Sequence, residues 1–409
     1  MNKNGEVAGS QGFQLGCAQV DITPPVGVTL WGYNPRISTH VSHPLRAEAL
    51  ACESGHRGWL LLGADIGAFA APLTDPLRAE ISRRTGLPPD AVMMTATHTH
   101  SGPHVTDANW CERSALESAY FRTLYHKLAD LAEQAWQARA SGEILYGCTE
   151  AGELASNRRV QNDEGIWVNE FRDPEGVHTG YFDPAVDLIG IRRENGKLDV
   201  LLVNFGCHPV AFGGKSLAIS ADYVGHMKTA LEKDGTVGTA MFTVSGHGNI
   251  DPRDGVQSDP DIVRDIGERL ACIVKQALPG MQPVTGNEVV AVQEPWHFDA
   301  NWSISGRMKI YFPHAEPGSC VKTAISALRA GDLAMIGLPG ETVSEYRKLI
   351  QQRSPFAHTL LISLANDFIG YLPTDDILAQ GAYEANLSPL RPIQKRLLAR
   401  VDAAFEKLR

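Results

Sequence analysis

The segment MMTATHTHSGPH, residues 93–104, sets three histidines, His98, His100 and His104, within seven residues directly after an apolar run. On an extended segment residues i and i+2 point to the same side, so His98 and His100 can aim two imidazoles into one cavity. Imidazole is a common zinc ligand, and catalytic zinc takes three protein ligands while keeping a position open for water. A single histidine is more often a hydrogen-bonded loop residue. The pair shifts the balance towards a metal, although His-x-His also occurs in unrelated metal folds.

Such residues need a frame to hold them. GWLLLGADIG (58–67), DAVMMTATHTH (90–100), DVLLVNFGCHP (199–209), GTAMFTVSGHGNIDP (238–252), DLAMIGLPGE (332–341) and TLLISLANDFIGYLPT (359–374) read as strands that run into polar or glycine-rich loops. Helical patterns lie between them: DPLRAEISRRTG closed by Gly86, residues 113–141 with Leu116, Tyr120, Leu124, Leu128 and Leu131 in step, 260–278, TVSEYRKLIQQRS, and 391–408. Groups suited to chemistry recur where the apolar runs end: His98 and His100, His208, His247, Glu341, and Asn366 with Asp367. Active sites of α/β proteins form at strand ends, because a rigid sheet can aim several loops at one point. The expected fold is therefore a single α/β unit over residues 1–409, with mixed sheets flanked by helices and residues 1–12 loosely held.

Bulk properties narrow the function. The chain of 409 residues carries 37 Lys and Arg against 47 Asp and Glu, a net charge of −10, and has no basic run. Nucleic acid and anionic membranes are poor partners for such a surface. No run of 18 apolar residues suggests a membrane span, and the polar start MNKNGEVAGSQGFQLG lacks the apolar stretch of a secretory signal. Seven dispersed cysteines without a CxxC pair read as reduced thiols in the cytoplasm. A small-molecule substrate is the expected partner, with no stable membrane insertion; association into a homo-oligomer is left open.

The segment ATHTHSGPH resembles the ATHTHSGP signature of the neutral, non-lysosomal ceramidases, zinc amidases that cut the N-acyl bond of ceramide. Further elements follow in family order. QVDITPPVGVTLWGY (19–33) is similar to the family's ADITGP…GYG opening, and ELASNRRV (153–160) to its Asn-Arg element. VNFGCHPVAFG (203–213) is similar to the strand that carries a second ligand histidine. SGHGNIDP (245–252) stands where the family has GDVSP, GLPGETVSEY (337–346) resembles its PGE turn, and LANDFIGYLPT…YE (364–384) its N-x-Y-x-x-Y-x-T…YEG run. The resemblance spans nearly the whole chain and implies a neutral-ceramidase-like catalytic domain. The C-terminal β-sandwich of longer ceramidases is not expected within residues 1–409.

Carried over residue by residue, the resemblance implies zinc on His98, His208, Glu341 and Tyr371, with His100 and Arg158 assisting catalysis. Glu341 also stands at an expected strand-to-helix turn, where the positive end of a helix favours a carboxylate. Taken singly, each position has an ordinary reading: Glu341 as a first-turn helix residue, His208 as a core histidine, Tyr371 as a strand aromatic, Arg158 as a surface arginine. Zinc lowers the pKa of the water it binds from about 15.7 to roughly 7, which supplies a nucleophile at neutral pH. Arg158 or protonated His100 can then stabilise the charge on the carbonyl oxygen, and His100 can protonate the leaving amine.

Two departures from the family pattern bear on the substrate. The serine of GDVSP is replaced by Asp251, which disfavours a serine nucleophile, and the first tyrosine of N-x-Y-x-x-Y is Phe368. His104, His247, Asn249 and Asp251, with Asp222, suggest a polar pocket suited to a small N-acyl compound as much as to ceramide. A zinc esterase or lactonase, or a carbohydrate-active lyase or hydrolase using His100 and Tyr371 as acid and base, is the alternative.

Overall fold

The apolar runs assemble into two mixed sheets. The computed structural model describes residues 12–106, 113–193, 197–303 and 316–409, so residues 1–11 of the stretch 1–12 that the sequence leads one to expect loosely held lie outside the described residues. The larger sheet contains β1 (Phe13–Asp21), β2 (Arg46–Ser54), β3 (Arg57–Ala64), β4 (Val92–Ala96), β5 (Ala140–Glu150), β6 (Ala185–Arg192), β7 (Leu198–Phe205) and β8 (Val237–Val244). Their order across the sheet is β8-β7-β6-β5-β1-β2-β3-β4, with Gln282–Pro283 paired to β5. The interior pairs are antiparallel, while the pair at each end, β7 with β8 and β3 with β4, is parallel. The smaller sheet has β9 (Val289–Asp299), β10 (Cys320–Ala330), β11 (Leu333–Gly337) and β12 (His358–Ile362) in that order, and β11 with β12 is again parallel.

Parallel neighbours need a crossover, and each of the three pairs has a helix in it. The helix α1 (Ala71–Thr85) joins β3 to β4, α3 (Asp222–Glu232) joins β7 to β8, and α5 (Glu345–Gln351) joins β11 to β12. The remaining long helices are α2 (Ala115–Gln137), α4 (Pro260–Ala277) and, after the short α6 (Asp375–Gln380) and α7 (Ala382–Asn386), α8 (Gln394–Leu408). Gly86 ends α1 as expected, at φ 78° with its N–H on the Ser82 carbonyl. A capping box between Ser114 and Glu117 starts α2. That helix stops at Gln137 rather than 141, because Ala140 and Ser141 pair with Leu15 and Gln14 of β1. A partner more than a hundred residues away overrides the local helical pattern.

The larger sheet curls until its two ends approach. Gly63 of β3 lies against β8, where an added Cβ would stand 3.4 Å from the Phe242 carbonyl oxygen. The segment after β12 ties both ends together: the Ser363 N–H donates to the Val244 carbonyl, and the Asn366 N–H to that of Met94, both at 2.8 Å. Apolar side chains of α1 and α2 pack on β1–β4, those of α3 and α4 on β5–β8, and those of α5 and α8 on the smaller sheet. This packing brings the C-terminal ends of all three parallel pairs to one place. No helix among the described residues is long and apolar enough to cross a membrane, and the six described cysteines are free thiols.

Candidate metal centre

Each crossover unit delivers a donor from the loops at its strand ends. His98 follows β4, His208 follows β7, His247 follows β8, and Glu341 follows β11. One ligand atom from each of these four buried residues lies within 4.8 Å of all the others. Tyr371 joins them from the chain after β12, its backbone in parallel register with Glu341.

His98 and His100 meet, but not by the expected route. Strand β4 ends at Ala96, and His98 has a φ of 72°, so the pair does not lie on an extended segment. A non-glycine residue in this left-handed region is uncommon and needs its surroundings to hold it. The Thr97 N–H on the Ala64 carbonyl and the His98 N–H on that of Ile66 do so. The two rings still face each other, nearly perpendicular, with their Nε2 atoms 3.4 Å apart. His100 also presses against Gly32 at φ 66°, where a Cβ would come within 2.3 Å of Nδ1.

The tethers of the three imidazoles decide what the centre can do. Nδ1 of His98 bonds the Gly67 carbonyl at 2.6 Å, Nδ1 of His208 that of Ile250 at 3.0 Å, and Nδ1 of His247 that of Ser245 at 3.0 Å. A carbonyl only accepts, so each Nδ1 carries a proton, and in its neutral form each ring turns a bare Nε2 lone pair inwards. Nε2 of His208 lies 3.0 Å and Nε2 of His98 3.4 Å from Oε2 of Glu341. Nε2 of His247 is buried with no hydrogen-bond partner among the described residues. Buried acceptors facing one another without a donor are costly unless a cation sits between them. The donor set fits a divalent metal.

The loops explain the sequence around these residues. His247 is flanked by glycines because its loop runs against residues 341–344; a Cβ on Gly246 would stand 2.8 Å from the Val343 carbonyl oxygen. Glu341 itself lies in a two-residue strand four positions before α5, so a helix terminus does not account for it. Burial opposes its charge, but His98 and His208, when they carry a second proton on Nε2, outweigh that and hold the carboxyl well below its ordinary value. Burial pushes His100 and His247 well below the ordinary imidazole value, and the neighbouring imidazoles add to this. That shift favours the neutral form of His100. Burial, then Glu341, raises the Tyr371 phenol well above its usual range.

Arg158 is not a surface arginine. It is buried, with Nε on Glu384 at 2.9 Å, Nη1 on Asp251 at 3.2 Å, and Nη2 donating to the Gly248 carbonyl at 2.7 Å and the Tyr371 hydroxyl at 3.2 Å. Arg159 shares Glu384 at 2.6 Å. Glu384 and Tyr383 were not singled out from the sequence, although both lie in the YE pair of the family-like run. A cavity of about 600 Å³ opens over the centre, walled by Trp31, Tyr33, Phe171, Phe368 and Tyr383, with His100, Arg158, Asp251, Glu341 and Tyr371 also lining it.

The four residues expected to bind substrate separate. Asp251 lines the cavity, and His247 lies among the metal donors. His104 packs on Trp31, ring centroids 5.0 Å apart, and does not line this cavity. Asn249 is spent on the scaffold, with Oδ1 accepting the Ser344 N–H and Nδ2 donating to Glu345. Asp222 is likewise structural, accepting the N–H groups of Ala211, Phe212 and Tyr223 below the His208 loop.

These features define a mixed α/β protein with a buried His/Glu group, able to hold a metal, at the floor of an aromatic-walled cavity. No family model and no curated protein sequence matches the chain. Among solved structures, neutral ceramidase from Pseudomonas aeruginosa superposes with a TM-score of 0.79 at 18% identity, covering 97% of this chain and 75% of that one. A structure described as ceramidase complexed with C2 matches at a TM-score of 0.77, with the same identity and coverage. The chain has a neutral ceramidase-like fold.

Proposed function

We propose that this protein is a zinc-dependent hydrolase that cleaves the amide bond of a small or polar N-acyl substrate. The observation that carries the reading is the inward convergence of three tethered imidazoles and the Glu341 carboxylate below a cavity, in a ceramidase-like fold. His98, His208, Glu341 and His247 would hold the ion, with the Tyr371 phenol beside Glu341. Such a nitrogen and carboxylate set suits zinc. When bound there, zinc supplies an activated water and polarises a carbonyl oxygen.

The chain's own groups do the rest. His100 lines the cavity as a neutral base, so it can take a proton from water and return it to the departing amine. The Tyr371 phenol, held by Arg158, stays protonated and can donate to the developing oxyanion. Its raised pKa disfavours Tyr371 as the base of a lyase. The aromatic walls and the cavity volume are within the range of ordinary small-molecule sites.

Metal analysis with kinetics on a panel of N-acyl compounds, esters and lactones tests the reading. The double variant His98→Ala/His208→Ala is expected to lose both metal and turnover. His100→Ala is expected to keep the metal and lose about 10²–10⁴ in turnover. Full metal content in the double variant contradicts the assignment, and release of carboxylate only from esters contradicts the amidase reading.

A further inference from the structure

Three of the four imidazoles around the centre are tethered through Nδ1 to a carbonyl, and His100 is the exception. Its Nδ1 is buried with no hydrogen-bond partner among the described residues, and Gly32 backs directly onto it. The ring is held by its neighbours instead: Nε2 meets that of His98 at 3.4 Å, and the Tyr33 ring stands edge to face with centroids 5.3 Å apart. An imidazole with no acceptor on Nδ1 is not fixed in one tautomer. That freedom suits a proton carrier, but it leaves the placement of the ring to the backbone beneath it.

Arg36 grips that backbone. It is buried, its Nη2 donates to the carbonyls of His100 and, at 2.7 Å, of Trp31, and its Nη1 donates to the Ser216 carbonyl at 2.9 Å. Its guanidinium carbon lies 4.9 Å from the centre of the Tyr33 ring that flanks His100. One planar group thus joins the wall segment 31–36, the His100 peptide and the chain after His208, without itself lining the cavity. The fixed fork of a guanidinium lets one side chain serve three carbonyls, whereas lysine offers the charge without the fork. The rest of the loop does not depend on it. Thr99 Oγ1 donates to the Ser220 carbonyl at 2.7 Å, the Ser220 N–H donates to that of Ser101 at 2.9 Å, and His98 and His208 keep their own tethers. We infer that Arg36 is a positioning residue: by holding the His100 carbonyl it sets the ring for proton transfer, and its loss slows turnover while the centre stays assembled. The inference rests on the proposed hydrolase reading, in which His100 moves the proton.

The experiment is a double-mutant cycle on the zinc-loaded full chain, with kcat, KM and metal content measured on the best substrate of the panel. A catalytic group misplaced by about 1 Å can cost about 10²-fold in rate. Arg36→Lys is expected to keep its metal, to hold KM within about twofold, and to lose about ten- to a hundredfold in kcat. In a His100→Ala background the same substitution should change kcat by less than about twofold, because the ring it positions is gone. A merely structural role would lower kcat equally in both backgrounds, and that result overturns the inference, as does loss of metal or a rise in KM that accounts for the whole defect. Arg36→Gln, which brings no charge to bury, carries the test if the lysine variant does not fold. If neither folds, the guanidinium holds the fold rather than the ring, and the inference is overturned. Undiminished turnover in His100→Ala overturns it while leaving amide cleavage intact. Turnover of esters alone by the wild type overturns the amidase reading, and the cycle run on the ester then decides the inference.

Discussion

The candidate metal centre and the Arg158–Glu384 cluster are neighbours, both buried and both assembled from loops, yet their charges are balanced in opposite ways. In the cluster, Glu384 receives Arg158, Arg159 and the Asn169 side-chain amide, and Arg158 spends its other hydrogens on Asp251, Tyr371 and the Gly248 carbonyl. Cation and anion match within the chain, so the charges of the cluster balance as it stands. At the metal centre every imidazole sends its proton outward to a carbonyl and turns a lone pair towards a carboxylate. That set is all acceptor. One region balances its own charges, and the other has room for a cation from outside.

The contrast separates what should happen when each is disturbed. Glu384→Ala leaves two buried guanidinium groups short of a partner, and breaking a buried pair from one side costs about 3–5 kcal/mol. Denaturant unfolding is expected to show this loss, while added zinc still stabilises the variant. His208→Ala should behave in the reverse sense. Zinc at a hundred to a thousand times its dissociation constant stabilises a protein by about 2.7–4.1 kcal/mol, and the variant is expected to lose that increment. If Glu384→Ala also abolishes the zinc increment, the two regions are not separable. The smallest effect lies away from both: Ser114→Ala removes the α2 cap and is expected to cost about 1 kcal/mol while leaving the zinc increment intact.

How much of this could be read from the sequence follows from the same architecture. The six strand-to-polar-loop runs proved to be the three parallel pairs, which is why chemistry-bearing residues recurred at their ends. His247 carried that same signal in SGHG, yet only its packing against residues 341–344 places it among the donors. The reach of the strand before His98 was overestimated, since β4 stops in register with β3 at Ala64 and Ala96. That limit is set by a partner strand rather than by local apolarity. Strands β1, β5, β6, β9 and β10 were not singled out, because β1, β5 and β9 mix buried with part-exposed positions and the pairing of all five is long-range. Arg158 looked solvated in the polar run SNRRV, and only its long-range partners Glu384, Asp251 and Tyr371 reveal it as buried.

Anomalous diffraction at the zinc edge from crystals of the zinc-loaded chain tests the central claim most directly. The expected result is one strong peak about 2.0–2.2 Å from Nε2 of His98 and His208 and from a carboxylate oxygen of Glu341, with Nε2 of His247 turned towards it. A crystal with zinc bound elsewhere, and these side chains closed on one another by hydrogen bonds alone, would contradict it.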